Sequence, residues 1–167
     1  METAGRHSAR DKAILVLLGL EGLRTVEVTR LKPGDLNFER HHLQVPGKGK
    51  STKEAIKFFV ACRQAVQPYL EETDRWPIPQ SRRGEYLFDN LKTHQIRYVV
   101  DKQLKKHGLK RVGMSAHSLR HTTGQLLLEE GISLAHVQQH LRHETLETTQ
   151  FYTKKKTRKI YFQQMPD

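Results

Sequence analysis

The sequence predicts an α+β fold, a mainly helical domain with a small three-stranded antiparallel sheet. Two observations carry this prediction. Between about residue 35 and residue 60, short runs rich in β-branched or aromatic residues alternate with turn-like stretches, which is typical of strands. On both sides of that region, apolar residues recur at helical spacing. The predicted order is therefore helices, a sheet, and then helices again.

The first part of the chain is predicted to hold two helices and the sheet. Residues 8–11, Ser-Ala-Arg-Asp, could cap a first helix whose apolar residues up to Leu20 cover more than one face. A short second helix is expected over Leu23 to Val28, and Pro33-Gly34 ends it. The strands are expected at Asp35 to Phe38, His41 to Val45 and Glu54 to Val60, with residues 46–51 as the second hairpin turn.

From residue 61 onwards the sequence predicts helices separated by loops. Asp74 to Gly84 contains two prolines and is predicted to be an irregular loop. The expected helices run from Ala61 to Glu72, from Thr93 to His107, from His117 or Ser118 to Gly131, and from the capping residue Ser133 through Leu141.

The charge of the chain points to a polyanionic partner. The sequence has 29 Lys and Arg against 18 acidic residues, a formal net charge of +11 and a pI near 9.9. These basic residues are spread along the whole chain, as expected for a broad contact surface with nucleic acid. The simpler interpretation is a basic but otherwise ordinary protein. A length of 167 residues suits one domain, and a hydrophobic fraction of 36% permits a real core.

The sequence indicates neither a membrane-spanning segment nor a catalytic thiol. No apolar run approaches the roughly 20 residues that span a bilayer, and Ala13 to Leu20 is too short for a signal peptide. We therefore expect a cytoplasmic, nucleoid-associated protein. The single Cys62 cannot form an internal disulfide, and we expect it to pack as a small hydrophobic residue rather than act as a catalytic thiol.

The last third of the chain carries the residues suited to phosphate chemistry. Breaking a phosphodiester requires a nucleophile, donors that neutralise the phosphate oxygens, and an acid for the leaving oxygen. His117 and Arg120 are three residues apart, so in the first turn of a helix they project on one side, beside backbone N–H groups that favour an anion. The H-x-x-R pattern alone is also common on solvated helix faces, so its neighbours decide its meaning.

Other groups of residues in the sequence give weaker evidence for a functional site. Residues 49–51, Gly-Lys-Ser, mimic the end of a P-loop, but Gln44 stands where the first glycine of that motif would fall. His136, His140 and His143 have a spacing that could bind zinc, yet no cysteine or carboxylate completes the set. Tyr69, Tyr86, Tyr98 and Tyr161 are expected to pack, whereas Tyr152 follows a polar turn.

Five segments of the chain, in order, resemble one known family. Residues 116–123, Ala-His-Ser-Leu-Arg-His-Thr-Thr, together with Leu141-Arg-His143 and residues 148–153, Thr-Thr-Gln-Phe-Tyr-Thr, resemble the catalytic signature of the tyrosine recombinases, the phage-integrase family. Residues 22–28 resemble the first arginine box of that family, and residues 45–50, Val-Pro-Gly-Lys-Gly-Lys, resemble its lysine-bearing β-turn. The resemblance covers the chain from Arg24 to Tyr152.

This resemblance implies a catalytic set at six positions: Arg24, Lys48, His117, Arg120, His143 and Tyr152. Tyr152 would attack the scissile phosphate and form a 3′-phosphotyrosyl link, with His117 helping its proton leave. The two arginines would hold the non-bridging oxygens, which suits planar guanidinium groups. Lys48, or Lys50 in its place, would protonate the leaving oxygen. His143 would hydrogen-bond the phosphate.

The resemblance also implies properties of the site beyond this set. No metal, ATP or other cofactor is expected. Glu27 would support an arginine or the hairpin, although an exposed helix-face glutamate is the simpler interpretation. Arg142 stands where the family usually has glycine, and Gly124 stands where it commonly has alanine.

As a whole, residues 1–167 are expected to form a single catalytic domain, with a core over about 8–153 and a tail over 154–167. The N-terminal DNA-binding domain usual in the family is expected to be absent, because 23 residues precede Arg24. The chain would then be either a catalytic fragment or a naturally short member of the family. The implied partners are double-stranded DNA and further copies of the chain, which would be a monomer when free and a tetramer on DNA. The tail at residues 160–162 is a candidate for docking on a neighbour.

The predicted function is therefore that of the catalytic domain of a site-specific DNA recombinase or integrase. Three alternatives stay open from the sequence. A type IB topoisomerase would use a similar pocket to relax supercoils, and a non-catalytic DNA-binding module could keep the same fold. An RNA-binding or ribosomal accessory protein would fit the charge but would not require the pocket residues.

Overall fold

The structure is a computed structural model that describes residues 2–46 and 52–142, with the backbone alone for residues 2–8. These residues contain six α-helices and one three-stranded sheet. The helices are α1 (Glu2–Gly19), α2 (Thr25–Arg30), α3 (Val60–Glu72), α4 (Thr93–Lys106), α5 (Ala116–Glu129) and α6 (Leu134–Leu141). The strands are β1 (Leu36–Asn37), β2 (His42–Pro46) and β3 (Lys53–Lys57). Short 3₁₀ turns lie at Pro33–Asp35 and Gln80–Arg82. The predicted α+β order is confirmed.

The chain divides into two compact units, Met1–Arg120 and His121–Asp167. In the first unit the sheet is antiparallel in the order β1-β2-β3. Leu43 of β2 lies opposite Leu36 and Ile56, and all three side chains are buried. Asp35, also buried, accepts a hydrogen bond from the Lys32 backbone N–H at 3.0 Å and forms an ion pair with the Lys53 ammonium group.

The core of the first unit is formed by helices that pack in pairs, α1 against α3 and α2 against α4. Ile14, Leu17 and Leu18 of α1 are fully buried, as are Val66 and Leu70 of α3. Each buried side chain of this size contributes about 1.5–3 kcal/mol of hydrophobic stabilisation.

A buried arginine holds the irregular segment between α3 and α4. Arg75 donates from Nη1 to the Leu87 carbonyl oxygen at 2.8 Å and forms an ion pair with Asp89. The Tyr69 hydroxyl donates to the same carbonyl at 3.0 Å. Burial raises the pKa of Tyr69 to about 12, and the nearby Asp89 carboxylate contributes to the shift in the same direction. Tyr69 therefore packs as the sequence predicted, and it remains a neutral hydrogen-bond donor.

Cys62 is fully buried on α3. Burial, reinforced by the nearby Glu21 carboxylate, raises the pKa of its thiol far above the usual range. The thiol is therefore neutral, and Cys62 is a small core residue, as expected.

Two of the tyrosines are exposed, contrary to the prediction that they pack. The Tyr98 side chain is 68% exposed, because α4 buries Ile96 and Val99 and so turns Tyr98 outward. Tyr86 is 44% exposed, because its segment is attached through its backbone, where its carbonyl accepts from Arg75 Nη1 at 3.3 Å. Neither tyrosine belongs to the core.

Four helices begin at positions other than those predicted, and of these α3 differs by one residue, beginning at Val60 rather than Ala61. Helix α1 begins at Glu2 rather than near Ser8, and Asp11 is paired with Arg10 inside the helix instead of capping it. Helix α2 begins at Thr25, because Glu27 accepts from the backbone N–H of Arg24 and so caps the helix there. Helix α5 begins at Ala116, with the Ser115 backbone N–H bonded to Ser118 Oγ at 3.1 Å.

The described part of the second unit contains the end of α5 and the whole of α6. Val137 and Leu141 are fully buried and pack with Leu127 and Leu128. Ser133 caps α6 as predicted, since its hydroxyl accepts from the His136 backbone N–H. After α6, Arg142 adopts the left-handed conformation with φ 52° and ψ 47°. This region usually holds glycine, because a side chain there costs about 1–2 kcal/mol.

Among the residues that the structure describes, no helix has the length and apolar content needed to cross a membrane.

We predict that Arg142→Gly is more stable than Arg142→Ala by about 1 kcal/mol. Both changes remove the arginine side chain and its 2.9 Å hydrogen bond to the His140 carbonyl, but only glycine relieves the positive φ. Urea titration of the two variants measures the difference directly. Equal stabilities would contradict the backbone conformation described for Arg142.

We also predict that Tyr69 contributes stability that is lost at alkaline pH. The folded state raises its pKa from 10.0 to about 12, so the neutral phenol is favoured by folding. This contribution is complete below about pH 10 and falls as the pH rises toward 12. The difference in unfolding free energy between the wild type and Tyr69→Phe should therefore shrink over this interval, measured by urea titration at several pH values. A difference that stays constant across the interval would be inconsistent with the raised pKa.

Candidate active site

Three arginines and a histidine line one cavity of about 660 Å³ in the first unit. They come from segments far apart in sequence, at the starts of α2, α4 and α5. The lining consists of Leu23, Arg24, Thr25, Val26, Thr93, Arg97, Ser115, Ala116, His117 and Arg120. Basic and hydroxyl side chains thus form much of the wall, which is the composition expected of an anion-binding pocket.

The end of α1 determines where Arg24 lies. The Leu20 backbone N–H bonds to the Val16 carbonyl at 2.8 Å, and the chain then turns through Gly22 at φ 67°. Leu23 follows, fully buried, with its N–H bonded to the Leu17 carbonyl at 3.0 Å. Because the turn at Gly22 needs a positive φ and Leu23 is anchored in the core, Arg24 is fixed at the start of α2.

Glu27 holds Arg24 in place through two hydrogen bonds. One carboxylate oxygen accepts from the Arg24 backbone N–H at 2.7 Å, and the other accepts from Arg24 Nη1 at 2.8 Å. The Glu27 side chain is only 3% exposed, whereas that of Arg24 is 30% exposed. The carboxylate therefore lies in the interior while the guanidinium reaches the cavity. This confirms the supporting role predicted for Glu27 and excludes the exposed helix-face interpretation.

Arg120 is a buried cation in contact with the same group. Its side chain is 3% exposed, its Nη1 donates to the Gly22 carbonyl oxygen, and the same nitrogen lies 4.0 Å from Glu27 Oε2. A buried guanidinium is strongly unfavourable unless it is paired and hydrogen-bonded. Glu27 and the Gly22 carbonyl meet that requirement here, so two arginines share one carboxylate.

His117 lies one helical turn before Arg120, in the first turn of α5, and it is exposed. The start of this helix is fixed by Ser118, whose hydroxyl accepts from the Ser115 N–H and donates to the Gly113 carbonyl, both at 3.1 Å. The three-residue spacing noted in the sequence thus places His117 and Arg120 on the same cavity wall.

Three cavity residues were not identified from the sequence: Thr93 and Arg97 of α4, and Ser115 before α5. Thr93 and Arg97 are four residues apart and therefore neighbours on the helix surface. That spacing was visible in the sequence, but an isolated T-x-x-x-R pattern does not indicate which cavity it lines. Only the packing of α4 against α2 brings these side chains to Arg24.

The structure brings together Arg24, His117 and Arg120, and it does not describe the other three predicted catalytic residues. Lys48, and Lys50 as its substitute, belong to the connection between β2 and β3, where the described strands end with Pro46 paired to Lys53. His143 and Tyr152 follow Arg142 and also lie outside the described residues. The roles of all six residues remain predictions.

The described residues contain no cluster of three side chains suited to holding a metal ion. His136 and His140 of the zinc hypothesis lie on α6, and the third member, His143, is outside the described residues.

Comparison with curated proteins finds relatives along most of the chain. Tyrosine recombinase XerC of Thermodesulfovibrio yellowstonii is 37% identical over 155 residues, which cover 86% of this chain and 50% of the relative. Tyrosine recombinase XerC of Staphylococcus aureus strain MSSA476 is 36% identical over 170 residues, covering 95% of this chain and 54% of the relative. The chain thus spans about half the length of the curated relatives it matches.

Solved structures show the same fold. The crystal structure of XerA recombinase has a TM-score of 0.75 and 26% identity, covering 99% of this chain and 62% of the other. XerH site-specific recombinase, bound to a palindromic difH substrate, has a TM-score of 0.73 and 24% identity, covering 93% of this chain and 45% of the other. The model of the phage integrase family matches residues 1–159. The chain therefore belongs to the phage integrase family, and its curated relatives are tyrosine recombinases.

Proposed function

We propose that this chain is the catalytic domain of a site-specific DNA recombinase, which cuts and rejoins DNA through a covalent link to Tyr152. The single observation that carries the proposal is the cavity lined by Arg24, His117 and Arg120, whose two arginines are held by the buried carboxylate of Glu27. Membership in the phage integrase family and the recombinase names of its relatives support it. The whole chain would act as one catalytic domain, with its core over about residues 8–153.

In the cleavage step, Tyr152 Oη attacks the scissile phosphorus and the bond from phosphorus to the 5′-oxygen breaks. The products are a 3′-phosphotyrosyl link and a free 5′-hydroxyl. The tyrosine proton passes to His117, and Lys48 supplies the proton that the leaving oxygen takes up. One phosphoester bond replaces another, so neither ATP nor a metal ion is required to balance the reaction.

Rejoining reverses these events with a 5′-hydroxyl from another strand. That hydroxyl gives its proton to Lys48 and attacks the phosphorus, the bond from phosphorus to Tyr152 Oη breaks, and His117 returns its proton to Tyr152. Exchange between two duplexes needs several active chains, and we propose a tetramer on DNA and a monomer in free solution. The formal charge of +11 favours DNA as the partner, and the similar structure of XerH is bound to a palindromic difH substrate.

The two arginines act on the phosphate from different depths. Arg120 is buried and bound to the Gly22 carbonyl, so it forms a fixed positive charge at the base of the site. Arg24 is more exposed, and its guanidinium can reach the non-bridging oxygens as they gain charge in the transition state. His143 would complete the set of donors to the phosphate.

We predict that Tyr152→Phe abolishes the covalent DNA adduct. The assay incubates the chain with a library of nicked suicide duplexes of randomised sequence, and adducts are separated on a denaturing gel and sequenced. Removal of the phenolic oxygen removes the nucleophile, so no adduct should form, while DNA binding should change less than about twofold. The matched control is Tyr86→Phe, which changes an exposed tyrosine outside the cavity and should leave adduct formation intact.

Three results would contradict the proposed function in different ways. An adduct that survives in Tyr152→Phe would show that another residue is the nucleophile. Relaxation of supercoiled DNA without dependence on the sequence, and without exchange between paired sites, would assign the chain to the topoisomerase alternative. DNA binding with no adduct in the wild type would assign it to the non-catalytic alternative.

We further predict that Glu27→Gln slows adduct formation by about a hundredfold at saturating protein. Glutamine keeps the size and one acceptor oxygen but removes the charge that orients Arg24 and Arg120. Single-turnover rates of adduct formation measure the effect. Glu85→Gln is the control, because Glu85 is an exposed carboxylate 3.9 Å from Arg75 and away from the cavity. Equal rates in the two variants would show that Glu27 does not position the arginines.

A further inference from the structure

The cavity offers more room and more cations than one phosphate requires. Its volume of about 660 Å³ falls within the range of about 300–1,000 Å³ that accommodates drug-sized ligands. Arg24, His117 and Arg120 account for the walls formed by α2 and α5. The wall formed by α4 contributes Thr93 and Arg97, which the proposed chemistry at the scissile phosphate does not use.

Arg97 is available to bind a ligand. The acidic residue one helical turn later, Asp101, is bonded to the Lys105 ammonium at 2.8 Å and also pairs with Lys110. Within residues 2–46 and 52–142, Arg97 itself makes no ion pair or hydrogen bond, and its side chain is exposed. An arginine without an acidic partner beside two other arginines is repelled by them, and an anion entering the cavity relieves that repulsion.

We propose that Arg97, assisted by the Thr93 hydroxyl, binds a second phosphate of the DNA backbone, the one next to the scissile phosphate on the same strand. This inference rests on the proposed function and deepens it. Successive nucleotides of one strand rise by about 3.4 Å along the duplex axis, so the phosphate that adjoins one bound at Arg24 and Arg120 is the nearest further anion on that strand for Arg97 to bind. The planar guanidinium of Arg97 can take two of its oxygens. The assignment makes Arg97 a substrate-binding residue that keeps the strand in register with the catalytic groups.

Arginine also recognises guanine edges in the major groove, which is a different role. The structure favours the phosphate, because Arg97 lines the cavity that contains the two arginines assigned to the backbone. The two roles differ in what they predict. A phosphate contact weakens binding to all sequences alike and lowers the salt dependence, whereas a base contact affects one position of the site.

The experiment measures binding to a 30-base-pair duplex pool of random sequence, by fluorescence anisotropy at several KCl concentrations. It compares the wild type, Arg97→Gln, Arg97→Lys and the control Arg40→Gln, an exposed arginine between β1 and β2 that is not part of the cavity lining. The bound fraction of the pool is sequenced for each protein. Adduct formation by the wild type, measured as above, tests the proposed function separately.

We expect Arg97→Gln to reduce the slope of log K against log [KCl] by about 0.9, the loss of one phosphate contact, without changing the bound sequences. Arg97→Lys should keep most of the slope, and Arg40→Gln should keep all of it. A slope for Arg97→Gln equal to that of Arg40→Gln would overturn the inference, even if the wild type forms the adduct. Loss of preference at one base position would also overturn it in favour of base recognition.

Discussion

The buried carboxylate of Glu27 holds both Arg24 and Arg120, and its negative charge offsets the repulsion between these two arginines in the cavity. Its two oxygens hold the backbone and the guanidinium of Arg24, and the same carboxylate lies 4.0 Å from Arg120. Glu27 also caps α2, so the same residue determines where that helix begins and where the negative charge lies. The turn at Gly22, followed by the buried Leu23, then fixes the start of α2 relative to the core.

Much of the fold follows from local patterns in the sequence. Short runs of β-branched and aromatic residues between turn-like stretches predicted the sheet, in which Leu43 and Val45 of β2 are buried. The stripe of Ile96, Val99, Val100 and Leu104 predicted α4. Of the site, the H-x-x-R spacing predicted that His117 and Arg120 share a helix face, because helical geometry alone determines it. Their association with Arg24 came from the family resemblance, since no local pattern links residues about a hundred positions apart.

Other features depend on tertiary packing and could not be read from single segments. The contribution of Arg97 to the cavity arises only when α4 packs on α2. The exposure of Tyr86 has a similar origin, because buried Arg75 captures its carbonyl and leaves the ring outside. Helix starts were misplaced where the capping group was unusual, as at Arg24, whose backbone is capped by a carboxylate that also serves the site. In that case Glu27 has the usual role of a glutamate at the third helical position, but Arg24 rather than Ser or Asp precedes the helix.

The burial of Cys62 has a practical consequence for studying the protein in solution. The only thiol in the chain is enclosed in the core and kept protonated, so maleimide reagents, which attack exposed thiolates, should not modify the folded protein. A cysteine introduced at an exposed position would then be the single labelling site without any prior removal of Cys62. Fluorophores could be attached in this way to opposite sides of the cavity in separate preparations. The native chain is thus already a suitable background for distance measurements while DNA is bound.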